Sequence, residues 1–151
     1  MNAFPDTSFL CALYRPQGNS AAARSYYQGL SELLHVSRLL LFEFRQSMRF
    51  QVWRHLRDSS VGIAREQGAT ALADLNPNLG SGALVVVDAD WGKVLQLAED
   101  MSARRTITGG HRTLDVLHVA TGKQLGAREL LSFDANQRRL AAVEGLEVNP
   151  L

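Results

Sequence analysis

The chain has 151 residues, of which 46% are hydrophobic and 21% are charged, and its formal net charge is +1. This length is typical of one globular domain, so we predict a single domain over residues 1–151. The small net charge argues against nucleic-acid binding by bulk charge, so any basic binding surface must be local. With Cys11 as the one cysteine, an internal disulfide is excluded, which fits a reducing compartment.

The apolar runs of the chain are short, whereas a membrane-spanning helix needs about 20 predominantly apolar residues. The first residues also lack the basic stretch and following apolar run of a signal peptide. We therefore expect a cytoplasmic protein that does not associate with a membrane.

Short apolar runs alternate with helical patterns in the order of the chain. Strands are predicted at residues 2–5, 36–42, 83–87, 130–133 and 146–148. Helices are predicted at residues 8–14, 20–34, 43–57, 63–75, from Asp88 or Asp90 to 105, 113–125 and 136–143, and loops at 16–18, 76–82 and 108–110. This alternation favours an α/β fold in which helices cover both faces of a parallel sheet.

Four acidic residues lie at positions that such a fold brings together. Asp6, Glu43 and Asp134 each follow a predicted strand, and Asp115 lies near the start of a predicted helix. In open α/β sheets, ligands bind at the edge where the strands end. Four carboxylates gathered there repel one another and favour a hard divalent cation with oxygen ligands. The sequence therefore predicts a metal site at this edge.

The same acids lie within motifs that resemble those of a known family. Residues 6–10, DTSFL, look like the opening motif of PIN domains, and residues 114–120, LDVLHVA, are similar to the central helix motif of that family. Glu43 and residues 132–134, SFD, complete the order of acids. The resemblance covers essentially the whole chain and implies a three-layer α/β/α sandwich with a central parallel sheet.

The resemblance also implies an activity. Many PIN domains are ribonucleases that use Mg²⁺ or Mn²⁺, and small bacterial members are commonly VapC-like toxins neutralised by a short antitoxin encoded beside them. We therefore expect an RNA substrate, an antitoxin partner and a homodimer. By matched motif, Asp6, Glu43, Asp115 and Asp134 form the catalytic acids, and Ser8 matches a supporting hydroxyl.

The chemistry of phosphodiester cleavage suits this assignment. The reaction needs an activated water and positive charge at the phosphorus, and a metal held by carboxylates provides both. Asp6 and Asp115 have short side chains suited to direct ligation, and Asp134 is a third candidate metal residue. Glu43 and Asp134 are also placed to hold water or complete a second site. Asn136 is the nearby polar residue where some relatives carry a further acid.

Three arginines are candidates for RNA contact. Arg45 and Arg49 are four residues apart on a predicted helix, and like charges at this spacing slightly destabilise a helix unless an anion compensates them. The RNA backbone is one such anion, and a solvated helix face is the alternative. Arg112 is a weaker candidate.

Each acid also has a purely structural interpretation. Asp6 and Asp134 fit helix N-caps, and Glu43 and Asp115 fit the first turn of a helix, where acids are favoured by the helix dipole. His118 lies on the same helix face as Asp115, where core packing is favoured over a role as ligand or proton shuttle.

Two other functions follow from these alternatives. The first is a catalytically weak or inactive PIN-like domain that binds RNA or a protein. The second is a receiver-like phospho-acceptor, which needs adjacent N-terminal acids and a lysine near the C-terminus. We disfavour it because Asp6 has no acidic neighbour and no lysine follows Lys123.

Overall fold

The structure is a computed structural model that describes residues 1–148. Its elements in chain order are β1 (Ala3–Pro5), α1 (Thr7–Tyr14), α2 (Ser20–Gly29), β2 (Leu34–Ser37), α3 (Arg38–Arg57), α4 (Arg65–Gly80), β3 (Leu84–Val87), α5 (Trp91–Gly109), α6 (Thr113–Gln124), β4 (Glu129–Leu131) and α7 (Ala135–Val143). This confirms the predicted α/β class. The predicted domain end at residue 151 lies outside the described residues.

The four strands form two parallel pairs. β1 pairs with β4, with Ala3 opposite Glu129, and β2 pairs with β3, with Leu34 opposite Leu84. β1 also lies beside β2, so the strands follow the spatial order β3, β2, β1, β4. Within each pair the strands run parallel, so β1 and β4 end at one edge, and β2 and β3 also end together.

The core lies in two layers, one on each face of the strands. Ala3 and Leu131 pack against the first four helices, whereas their neighbours Phe4 and Leu130 pack against the last three. This follows from the strand geometry, because successive side chains point to opposite faces. The predicted three-layer sandwich is confirmed.

Pro5 is the last residue of β1, where its missing N–H costs little pairing. The ladder continues one residue further, because the Asp6 N–H donates to the carbonyl oxygen of Leu131 at 2.9 Å. Asp6 therefore sits at the strand end, as predicted.

The bounds of the second strand, predicted at residues 36–42, were wrong. β2 ends at Ser37, whose hydroxyl caps α3 by accepting from the Leu40 N–H at 3.1 Å. The apolar run after it is helical, with Leu40 buried and Phe42 61% exposed. A short apolar run fits a buried helix as well as a strand, and here the cap decides between them.

Three other predicted boundaries were wrong. α2 ends at Gly29 instead of residue 34, because Leu34 belongs to β2. α4 continues through Pro77 to Gly80, across most of the predicted loop at 76–82. α5 continues to Gly109 and ends where Gly110 adopts a left-handed conformation with φ of 65°.

The last predicted strand, at residues 146–148, is reduced to one parallel bridge between Glu147 and Glu129. The other helix and strand bounds coincide with the prediction or differ from it by one or two residues, as element ends commonly do.

Among residues 1–148, no helix combines the length and the apolar character that a membrane span requires.

Candidate functional site

Asp6 lies between β1 and α1 with a buried carboxylate that accepts three hydrogen bonds. Its Oδ1 accepts from the Ser8 hydroxyl at 2.7 Å and, as the N-cap of α1, from the Phe9 N–H at 2.9 Å. Its Oδ2 accepts from the Ser132 hydroxyl at 2.5 Å. Burial raises the pKa of Asp6 above its ordinary value, although these hydrogen bonds act in the opposite direction.

The two serine hydroxyls join the ends of β1 and β4. Besides donating to Asp6, Ser8 accepts from the Phe133 N–H at 2.8 Å, and Ser132 accepts from the Asp134 N–H at 3.0 Å. The chain segment that carries Asp134 is therefore fixed relative to Asp6 by side-chain hydrogen bonds. The predicted supporting position of Ser8 beside Asp6 agrees with this geometry.

Glu43 lies in the second turn of α3, and its carboxylate is held from two other helices. Its Oε2 accepts from the Thr7 hydroxyl of α1 and contacts Nε2 of His118 of α6. Partial burial opposes ionisation of Glu43, but His118, Thr7 and the charge of Arg112 together outweigh it and lower the pKa of Glu43. Glu43 is therefore held in place and kept ionised.

Asp115 and Asp134 are joined by one guanidinium. Arg112 precedes α6, and its Nε donates to Oδ2 of Asp115 at 3.0 Å while its Nη2 reaches Oδ1 at 3.4 Å. The same Nη2 donates to Oδ2 of Asp134 at 3.2 Å. Asp134 is also the N-cap of α7. Asp115, with Asp134 and Glu43 adding to its effect, raises the pKa of Arg112.

A cavity of about 320 Å³ opens beside these residues, and its lining includes Glu43, Arg112 and Asp115. Within residues 1–148, no three His, Cys, Asp or Glu side chains are close enough together to hold a metal ion in this conformation. The donor set nevertheless fits a hard divalent cation, because it offers carboxylate oxygens and already binds one cationic group, the guanidinium.

The arrangement of these acids on an α/β/α fold agrees with a comparison against known families. The family model described as the PIN domain matches residues 3–143. The chain belongs to the PIN domain family. No curated protein sequence matches it.

Solved structures share the fold of this PIN domain. VapC20 from Mycobacterium tuberculosis, described as a Sarcin-Ricin loop cleaving toxin, has 19% sequence identity and a TM-score of 0.69, covering 99% of this chain and 100% of its own. FitAcB from Neisseria gonorrhoeae has 16% identity and a TM-score of 0.60, with 98% and 96% coverage. PAE2754 from Pyrobaculum aerophilum has 16% identity and a TM-score of 0.59, with 98% and 89% coverage.

The side chain of Asn136 makes its hydrogen bonds outside the group of acids in this PIN domain. Asn136 uses its side chain to donate to the Gly110 carbonyl oxygen at 3.2 Å and to accept from Arg139 at 3.0 Å. Its backbone N–H, not its side chain, contacts Asp134. Asn136 therefore supports the loop before Arg112 instead of replacing an acid.

Arg45 and Arg49 follow Glu43 on α3 by two and six residues. At about 100° per residue, these spacings turn both arginines well over a right angle away from Glu43. Arg49 borders a different cavity, between α3 and α4. Of the three arginines considered for RNA contact, Arg112 is the one that the structure places at the acids.

Sequence reasoning missed the roles of two residues at this site. His118 is buried, as its core assignment predicted, yet it also contacts Glu43. Thr7 was not singled out, although it directly follows Asp6. The spacing of His118 three residues after Asp115 indicated the correct helix face, but the contact across to α3 left no signal in the sequence.

Proposed function

We propose that this PIN domain is a divalent-metal-dependent endoribonuclease that acts as the toxin of a toxin–antitoxin pair. The observation that carries the proposal is the pairing of Asp115 and Asp134 with one guanidinium in a PIN fold, beside a cavity that Glu43 also lines. A site that gathers acids around a cation suits the binding of Mg²⁺ or Mn²⁺.

The protein residues have distinct proposed roles. Asp6, Asp115 and Asp134 would hold the cation through their carboxylate oxygens. When bound, the cation supplies positive charge at the phosphate group that is cleaved. Glu43 is kept ionised, and Thr7 and His118 both engage its Oε2, so its Oε1 is the oxygen suited to orient the attacking water.

The test is cleavage of a panel of structured RNAs, including a sarcin–ricin stem-loop, in the presence of Mn²⁺. We expect Asp6→Asn and Asp115→Asn to reduce the cleavage rate at least about a hundredfold. Even substitution of residues that only hydrogen-bond to metal ligands commonly lowers metal affinity or activity ten- to a hundredfold. Asp90→Asn is the matched control: Asp90 is the exposed N-cap of α5, and asparagine caps a helix equally well. Undiminished cutting by both site variants would disprove this mechanism.

The proposed antitoxin partner has a candidate surface between α3 and α4. A cavity of about 270 Å³ lies there, lined by Met48, Arg49, Val52, Arg65, Gly68, Ala69 and Leu72. Along α3, Met48 is buried whereas Leu56, eight residues later, is 61% exposed, so apolar side chains on this helix reach the surface. An amphipathic helix can dock in such a groove. Coexpression with any short reading frame found next to its gene tests the partner: a stable complex supports it. Light scattering of the chain alone tests the proposed homodimer.

The second candidate is a PIN domain that binds RNA or protein without cutting. It is favoured by the ion pairs of Arg112, which offset one of the two negative charges of Asp115 and Asp134 without a metal. Stabilisation by Mn²⁺ separates the two functions, because a ligand that binds the folded state raises its stability and a non-catalytic domain should show little effect.

A further inference from the structure

Arg112 is placed where the proposed metal would need to be held. It contacts Asp115 with Nε and Nη2 and Asp134 with Nη2, at distances of 3.0 to 3.4 Å. The two acids belong to different elements, since Asp115 lies in α6 and Asp134 caps α7. One side chain therefore satisfies two of the three carboxylates that the proposed function assigns to the cation.

The same guanidinium also compensates the charge of the site. Three carboxylates act on it electrostatically, those of Asp115, Asp134 and Glu43. A divalent cation bound by Asp115 and Asp134 would meet a positive group already hydrogen-bonded to the oxygens it needs. Like charges at such short range repel, so the guanidinium and the metal exclude each other from these oxygens.

The ion pairs of Arg112 are suited to exchange. Its side chain is 72% exposed, so water screens the pairs and can hydrate the guanidinium once it leaves. Asp115 is buried and would remain in place, because its helix is packed in the core. Movement of one exposed side chain is then sufficient to open the carboxylates.

We propose that Arg112 is an internal counter-cation that competes with the divalent metal for Asp115 and Asp134 and is displaced when the metal binds. This proposal rests on the proposed function, because it assumes the same metal site. It makes metal affinity dependent on a residue that is not itself a ligand. The displaced guanidinium remains at the mouth of the site, where its charge suits an RNA phosphate.

The test is the dissociation constant of Mn²⁺, measured by titration calorimetry on the full chain without RNA. The metal must break the ion pairs of Arg112, and exposed ion pairs contribute only a small free energy. We therefore expect Arg112→Gln to tighten Mn²⁺ binding about three- to tenfold. Arg112→Lys keeps the charge but loses the planar fork, so its affinity should lie between those of Arg112→Gln and the wild type. It also provides the test where Arg112→Gln fails to fold.

The matched control is Arg128→Gln. Arg128 also forms an exposed ion pair, at 3.2 Å with Glu147, but it precedes β4 at the opposite end of the strand. Arg128→Gln removes one positive charge, as Arg112→Gln does. It should leave the Mn²⁺ affinity within about twofold of the wild type, because exposed charges far from a site are screened. Equal tightening by this control would assign the effect to net charge and overturn the proposal.

The outcomes distinguish this proposal from the proposed function. Unchanged or weaker Mn²⁺ binding by both Arg112 variants, with a wild type that binds, overturns the competition alone. Absence of Mn²⁺ binding in the wild type and in both variants overturns the metal site and the competition together.

Discussion

At the scale of single residues, Asp6 shows the conflict between stability and function most directly. Asp6 is 1% exposed, and the ionisation of a buried carboxylate costs free energy. The hydrogen bonds from Ser8, Phe9 and Ser132 offset part of this cost, yet the pKa of Asp6 stays raised. The ionised form that a metal requires therefore destabilises the metal-free protein.

Asp6→Asn should accordingly be more stable than the wild type without metal. A raised folded-state pKa means that Asp6 stabilises the fold when protonated and that this contribution is lost as the pH rises through the folded-state pKa. In EDTA at pH 7 we expect the melting temperature to rise by a few degrees, and the gain to vanish as the pH falls towards the ordinary value of 3.8. Calorimetry across this pH range measures it.

Asp90→Asn is the control for this experiment. The pKa of Asp90 is lowered, first by the hydrogen bond from the Lys93 N–H, so removal of its charge should give no gain at pH 7. A lower melting temperature for Asp6→Asn than for the wild type at pH 7 would contradict the expected cost of burial.

Thr7 and His118 act at the same scale through Glu43. Thr7→Val removes the hydroxyl that donates to Oε2 but keeps the shape of the side chain, and Thr7→Ser restores the donor. If Glu43 works as proposed, Thr7→Val should lower kcat/KM for RNA about tenfold while Thr7→Ser stays near the wild type, because groups that orient a catalytic side chain commonly matter ten- to a hundredfold. Equal kcat/KM values for Thr7→Val and Thr7→Ser would show that the Thr7 hydroxyl does not position Glu43.

The positions of three of the four acids could be predicted from the sequence, but their contacts could not. An acid after a strand or near a helix start is a local signal, and it located Asp6, Asp115 and Asp134 correctly in the fold. The contacts of Glu43 with Thr7 and His118 join three helices that are distant in the chain. The spacing of residues within one helix or strand does not predict side-chain contacts between helices that are distant in the chain.

At the scale of elements, α3 shows why local patterns gave the wrong boundary. The run at residues 39–42 is apolar throughout, and periodicity alone cannot distinguish a short buried strand from one turn of a helix. Ser37 decides the outcome by capping the helix at Leu40. As a result Glu43 projects from the second turn of α3 and not from the end of a strand.

The end of α7 is held to two other helices by one buried carboxylate. Glu144 accepts from Arg105 at 3.0 Å and Arg104 at 3.1 Å, both of α5, and lies 3.5 Å from Nζ of Lys123 of α6. Burial opposes ionisation of Glu144, but these cations outweigh it and lower its pKa. Glu144 therefore stabilises the packing of α5, α6 and α7.

Glu144→Gln should destabilise the protein by about 2 kcal/mol at pH 7, the usual contribution of hydrogen bonds to a charged group. For a chain of this size that corresponds to a melting temperature about 4–8 °C lower. Because the folded-state pKa is lowered, the contribution is present above the ordinary value of 4.5 and is lost as the pH falls through the folded-state pKa. Urea denaturation at pH 7 and at acidic pH measures both effects.

Glu147→Gln is the matched control, because Glu147 forms a single ion pair with Arg128 in which both side chains are more than half exposed. Its stability should change by less than about 0.5 kcal/mol. A loss for Glu144→Gln as small as that of Glu147→Gln would show that the buried cluster does not hold the three helices.

At the scale of the whole molecule, the three layers follow from the alternation of strands and helices, which can be predicted from the sequence. The spatial order of the strands does not, because β1 pairs with β4 from the far end of the chain. That long-range pairing is what brings Asp6 next to Ser132 and Asp134. The candidate site is therefore a product of topology, and the sequence motifs mark it without revealing its geometry.

Because the site joins α1, α3, α6 and α7, a bound metal should stabilise the whole fold. At a free Mn²⁺ concentration of about 100 times Kd, the free energy of unfolding should rise by about 2.7 kcal/mol, which raises the melting temperature by about 5–11 °C. Asp115→Asn should lose most of this rise, and Asp90→Asn should keep it. Scanning calorimetry with and without Mn²⁺ gives both numbers, and an equal rise for wild type and Asp115→Asn would place the cation elsewhere on the molecule.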